Sequence, residues 1–158
     1  MRTRTAWAAA ILVGFALVAA AWATDGGRAA DVNKEAIQGT WRCTSSEMNG
    51  EKQPEDDVKQ YTLVFSGDKL TVNKGGDLVM KGTVKLDPAE KPAHLDLTLE
   101  ENPGNPSDVG KTLPGLVELK GDEMKWCFTL PDRSERPKEF KTEADSSQIL
   151  ATFKREAK

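Results

Sequence analysis

Few groups in this chain are able to do chemistry. Its one histidine, His94, follows Ala93 at the start of an alternating segment with no evident partner, and reads as a surface residue rather than a base. A single histidine excludes a histidine-rich metal site. The two cysteines, Cys43 and Cys127, fall on opposite faces of their strands and make a poor zinc pair. Glu55-Asp56-Asp57 and Glu100-Glu101 offer carboxylates without the alternating oxygen ligands of a calcium loop, so they read as solvated loop charge. No Gly-x-Ser-x-Gly elbow, phosphate loop or dinucleotide fingerprint occurs. Proline spoils Asn105-Pro106-Ser107 as a glycosylation acceptor. The expectation is no catalytic residue, no metal, no cofactor, and a protein that is not an enzyme.

The elements that would position these groups are strands. Gly39-Thr40-Trp41 opens a series of short alternating segments that ends at Phe153-Lys154-Arg155. The spacing predicts strands over 40–48, 61–65, 70–72, 78–86, 94–99, 113–119, 124–130 and 149–153. Asn49-Gly50, Ser66-Gly67-Asp68, Gly75-Gly76 and Gly121-Asp122 supply turns. Gly82 marks a bend or bulge. Asp31 is placed to cap a short helical turn through Ile37, and Pro54 to open one turn of helix. Segments 100–111 and 132–147 read as long polar loops. Eight short strands without a long helix predict an all-β barrel or sandwich. With Trp41 and Arg155 at its two ends, the series suggests one antiparallel sheet closed into a barrel.

Alternation also sorts the faces, because side chains repeat every two residues along a strand. The inward set is Trp41, Leu63, Phe65, Leu70, Val72, Leu78, Met80, Val84, Leu86, Leu95, Leu97, Leu99, Val117, Leu119, Met124, Trp126, Phe128, Ile149, Ala151 and Phe153. Cys43 shares the parity of Trp41, whereas Cys127 opposes Met124, Trp126 and Phe128. A Cys43–Cys127 disulfide is therefore disfavoured unless a bulge flips one strand, and two free thiols are expected. An eight-stranded barrel is about wide enough either to be filled by side chains or to hold one small ligand. Both outcomes stand. Any pocket left over would be apolar.

The first residues read as an address. Arg2 and Arg4 precede an uncharged apolar run over 6–23, which ends in the small-x-small site Ala21-Trp22-Ala23. No basic stop-transfer cluster follows, which favours a cleavable signal peptide over 1–23 against an uncleaved anchor. Residues 24–35 read as a flexible leader and 36–158 as the barrel domain. Cleavage takes the net charge from −3 to −5 over 135 residues, one domain's worth of chain. Such acidity argues against nucleic acid or an anionic membrane as partner, and no membrane span is expected after cleavage.

The chain resembles a family of exported domains abundant in planctomycete bacteria, recognised by sequence rather than by activity. The matching stretches are Ile37-Gln38-Gly39-Thr40-Trp41, Leu63-Val64-Phe65-Ser66-Gly67-Asp68-Lys69, Lys81-Gly82-Thr83-Val84-Lys85-Leu86-Asp87-Pro88, Lys91-Pro92, Leu119-Lys120-Gly121-Asp122, Trp126-Cys127-Phe128, Arg136-Pro137 and Phe153-Lys154-Arg155-Glu156. They run from Ala36 to the end of the chain. Cys43 departs from the aliphatic residue usual at its position.

The resemblance implies an eight-stranded antiparallel lipocalin-like (calycin-type) barrel and export to the periplasm or beyond the cell. It gives Trp41 and Arg155 a structural job, the guanidinium stacking on the indole and donating to nearby carbonyls to close one end of the barrel. It supplies no catalytic residues. By analogy of fold the chain is expected to bind a small apolar ligand. The alternative is an interaction or structural module of the cell envelope, with a filled barrel and an envelope protein partner held by its loops.

Overall fold

The computed structural model describes residues 32–157. Ten strands form one antiparallel sheet: β1 Gly39–Met48, β2 Glu51–Lys52, β3 Tyr61–Ser66, β4 Lys69–Lys74, β5 Asp77–Asp87, β6 Ala93–Glu101, β7 Thr112–Leu113, β8 Gly115–Lys120, β9 Glu123–Thr129 and β10 Gln148–Arg155. A one-turn helix, α1 (Glu55–Val58), follows β2, and a 3-10 turn spans Pro106–Asp108. Eight of the strands run up and down in the order β10-β9-β8-β6-β5-β4-β3-β1, and β1 pairs back onto β10, giving a closed eight-stranded barrel. The short β2 extends the end of β1, and β7 adds to β6. Among the described residues no helix is long and apolar enough to cross a membrane.

Local chemistry explains most of the turns. Asn49 and Gly50 both take positive φ (53° and 84°), the pair of angles a two-residue hairpin requires, and Glu47 and Met48 then pair with Lys52 and Glu51. Asp31 lies outside the described residues. Residues 34–37 form a single turn capped by Asn33, whose Oδ1 accepts the Ala36 N–H at 2.8 Å.

Three register shifts bend the wall. One falls between Cys43 and Ser45 on β1, one at Val72/Asn73 where β4 meets β5, and one at Lys81/Gly82 where β5 meets β6. The second corrects the expected inward set. Val72 faces Met80 while Asn73 faces Leu78, so Val79 is the extra residue, and it joins Met80 against the core in place of Leu78. The third explains Gly82: a Cβ there would sit 2.0 Å from the Thr98 carbonyl oxygen, so the two strands approach more closely than any side chain permits.

Segments 100–111 and 132–147 differ from free loops. The first folds back on β6, with Leu99 N–H donating to Lys111 O at 2.9 Å and Gly110 N–H to Leu99 O at 2.7 Å. The second is strapped to the outer wall. Arg136 grips Asp96 through both guanidinium nitrogens at 2.5 and 2.8 Å and donates to Gly115 O at 2.8 Å. The Thr142 hydroxyl bonds Glu47 at 2.5 Å and accepts from the Gly50 N–H at 2.9 Å. Beneath this strap Cys127 is fully buried although it points away from the barrel axis. The strap hides an apolar outer face that alternation alone assigns to solvent.

Candidate functional site

One end of the barrel is sealed from the backbone upward. Gly39 has φ of +107°, which only glycine adopts without strain, and it lies against the Arg155 guanidinium. Trp41 and Arg155 are directly paired across β1 and β10. The guanidinium carbon lies 4.1 Å from the centre of the indole. Its two terminal nitrogens donate to Gln38 O at 2.6 Å and Ala36 O at 2.5 Å, and Nε lies 3.4 Å from Asp122. Trp41 Nε1 donates to Ile37 O at 2.9 Å, so the buried indole leaves no polar atom unpaired. The cation–π contact alone contributes about 0.5–2 kcal/mol. A single arginine thus joins the entering turn, the first and last strands and the β8–β9 turn.

Above this plug the barrel is filled, then hollow. Phe65, Val84, Leu97 and Val117 are buried in the core but do not reach the hollow part. Leu63, Met80, Trp126, Phe128 and Phe153 line it, together with residues such as Val72, Leu99 and Ala151. The cavity encloses about 350 Å³, within the range of small-molecule pockets. Trp126 and Phe128 form an aromatic panel on one wall, with ring centres 4.2 Å apart and planes inclined by 30°. Trp126 Nε1 donates to Leu95 O at 3.3 Å, which satisfies its polar atom and leaves its face apolar.

At the mouth polar side chains join the apolar ones. Ser46, Gln53, Asp57, Asn102 and Asp108, all partly buried, share this rim with the exposed Met48 and the partly buried Tyr61, Leu130, Pro131 and Ile149. The shift after Cys43 sets β1's share of it. Without an extra residue Glu47 would face inward; with it, Ser46 and Met48 face the cavity and Glu47 turns out to meet Thr142. α1 closes part of the rim by burying Val58. The segment 100–111 adds Asn102 and Asp108, and Lys111 Nζ and Asn105 Nδ2 fix the Asp108 carboxylate at 2.7 and 2.8 Å. Apart from Ser46 on β1, the polar rim residues lie off the strands, and no periodicity in the sequence marks them.

The remaining candidate groups lie apart from one another. Cys43 faces the cavity and Cys127 the strap, both as free thiols. Burial pushes the Cys43 thiol up to about 11. Burial raises Cys127 likewise to about 11. His94 stands on the outer wall, alternating with the buried Leu95, and is absent from the cavity lining. Two places along the same strand, burial works to raise the Asp96 pKa. Arg136 and the Gly115 N–H bond the carboxylate more strongly than that, and hold it below its ordinary value.

No protein-family model and no curated protein matches the chain. The geometry of the cavity therefore carries the functional reading unaided.

Proposed function

We propose that the barrel binds a small apolar ligand in its interior. The supporting observation is the cavity of about 350 Å³, sealed at one end by Trp41 and Arg155, walled by aliphatic and aromatic side chains and open between partly buried polar residues at the other. A filled barrel, which the interaction-module reading requires, does not fit that space. The strapping of segment 132–147 to the wall also removes one of the two loops on which that reading relied. We further propose that the chain is exported, on the strength of the basic and apolar pattern of residues 1–23, which lie outside the described residues, and that it is a member of the lipocalin-like family it resembles.

The test is uptake of a neutral apolar fluorophore, phenylnaphthylamine, by delipidated protein. Saturable uptake is expected, and replacing Val72 with Trp, which drives an indole into the cavity, should abolish it while the fold's circular dichroism persists. Failure of the unmodified protein to take up the fluorophore would overturn the reading.

A further inference from the structure

The charge around the cavity is one-sided. Among the described residues that line it only Asp57 and Asp108 are charged, with no lysine, arginine or histidine. Both aspartates sit at the mouth. Each is already paired with a lysine that is not itself part of the lining: Lys74 Nζ meets Asp57 Oδ1 at 2.6 Å, and Lys111 Nζ meets Asp108 Oδ1 at 2.7 Å. Arg155 is locked in the plug at the opposite end and Arg136 on the outer wall. Among the described residues Asp57 Oδ2 accepts no hydrogen bond, so one carboxylate oxygen at the rim is free.

We infer that the ligand is a slender amphiphile that enters tail first and leaves a hydrogen-bond-donating end, an amine or a hydroxyl, at the rim. This deepens the ligand-binding reading and rests on it. A donor at the mouth meets the free oxygen of Asp57, a charge-assisted bond, and the side-chain acceptors beside it. A carboxylate on the same tail finds the two lysines beside the rim already engaged by Asp57 and Asp108 and no cation in the lining, so it either stays hydrated outside or enters unpaired. The apolar wall sets the affinity for the tail; the rim decides which end group is tolerated.

The experiment is competition against bound phenylnaphthylamine at neutral pH with dodecylamine, dodecanol and dodecanoate, which share one tail. The amine and the alcohol are expected to displace the probe at least about tenfold better than the carboxylate, the ratio given by about 1.4 kcal/mol of differential binding. Asp57→Asn and Asp108→Asn should each narrow that gap, and the comparison on the unmodified protein stands even if a variant folds poorly. Displacement by dodecanoate as good as that by the amine and alcohol would overturn this inference and leave the cavity's binding role intact. Displacement by none of the three from a protein that does take up the probe would overturn it too. Absence of probe uptake altogether would overturn the binding role itself.

Discussion

Arg155 and Trp41 face each other across the seam of the barrel, the cation 4.1 Å from the indole centre and its two terminal nitrogens bonded to the Ala36 and Gln38 carbonyls. The indole gives the guanidinium a dry, flat surface and the carbonyls fix its plane. Neither group projects into the cavity.

Removing this pair should therefore cost stability and spare binding. Arg155→Ala uncovers the indole and strips two carbonyls of their donor, and is expected to lose about 2–4 kcal/mol in urea unfolding. Arg155→Lys keeps the charge without the planar fork and should lose roughly half as much. Melting temperatures unchanged in both variants would contradict the closure role.

Gly82→Ala tests the close approach of β5 and β6. A methyl placed 2.0 Å from Thr98 O forces the strands apart, and a loss of about 3 kcal/mol or more, or failure to fold, is expected on calorimetry. Gly67→Ala makes a useful contrast, because a Cβ there meets nothing within 4 Å and only the positive φ of 62° opposes it. It should cost about 1 kcal/mol.

The Asp96–Arg136 pair should give stability a defined acid limb. The folded-state pKa of Asp96 lies below that of an unfolded aspartate, about 3.9. Its contribution is therefore complete above that value and disappears as pH falls through the lower, folded value. Asp96→Asn is expected to lose about 2 kcal/mol at neutral pH, and the difference from the unmodified protein should shrink steadily in more acid buffers. Chemical denaturation at a series of pH values reads this directly. A gap that stays constant with pH would rule out the pair as its source.

The two thiols report separately on the two sides of the wall. With both pushed up to about 11, neither is appreciably thiolate at neutral pH, and both should react slowly with maleimide, faster as pH rises toward that value. Ligand in the cavity should protect Cys43 and leave Cys127 unaffected. Arg136→Ala, which frees the strap, should expose Cys127 and leave Cys43 unaffected. Mass spectrometry of the labelled peptides distinguishes the two.

Much of the architecture was legible because a half-buried strand declares itself by alternation. Leu63 and Phe65, Leu95, Leu97 and Leu99, and Met124, Trp126 and Phe128 all face inward as their spacing implies. The Trp41 and Arg155 pairing was legible because a closed barrel makes its first and last strands neighbours. The shift at Gly82 was legible from its glycine, but the two inserted residues without such a mark escaped. The bulges at Val79 and after Cys43 are set by the curvature that closure demands, and sheet curvature leaves no mark in a hydrophobic pattern; Leu78 was misplaced for that reason. Whether the interior is filled or hollow was equally out of reach. The same side chains fill or leave space according to register, and here they fill one half and leave the other open. Segment 132–147 looks like solvent-facing loop because its anchors, Arg136 and Thr142, are polar, and polar anchors are indistinguishable in sequence from polar surface.

The seam has a consequence for how this molecule comes into being. Arg155 and Gln38 bond across 117 positions of chain, so the sheet has two raw edges until β10 has been made and has found β1. During that interval the exposed backbone of each edge is a template for any other extended segment, including the same strand of a neighbouring nascent copy. Ring closure is thus also the step that ends its vulnerability to aggregation.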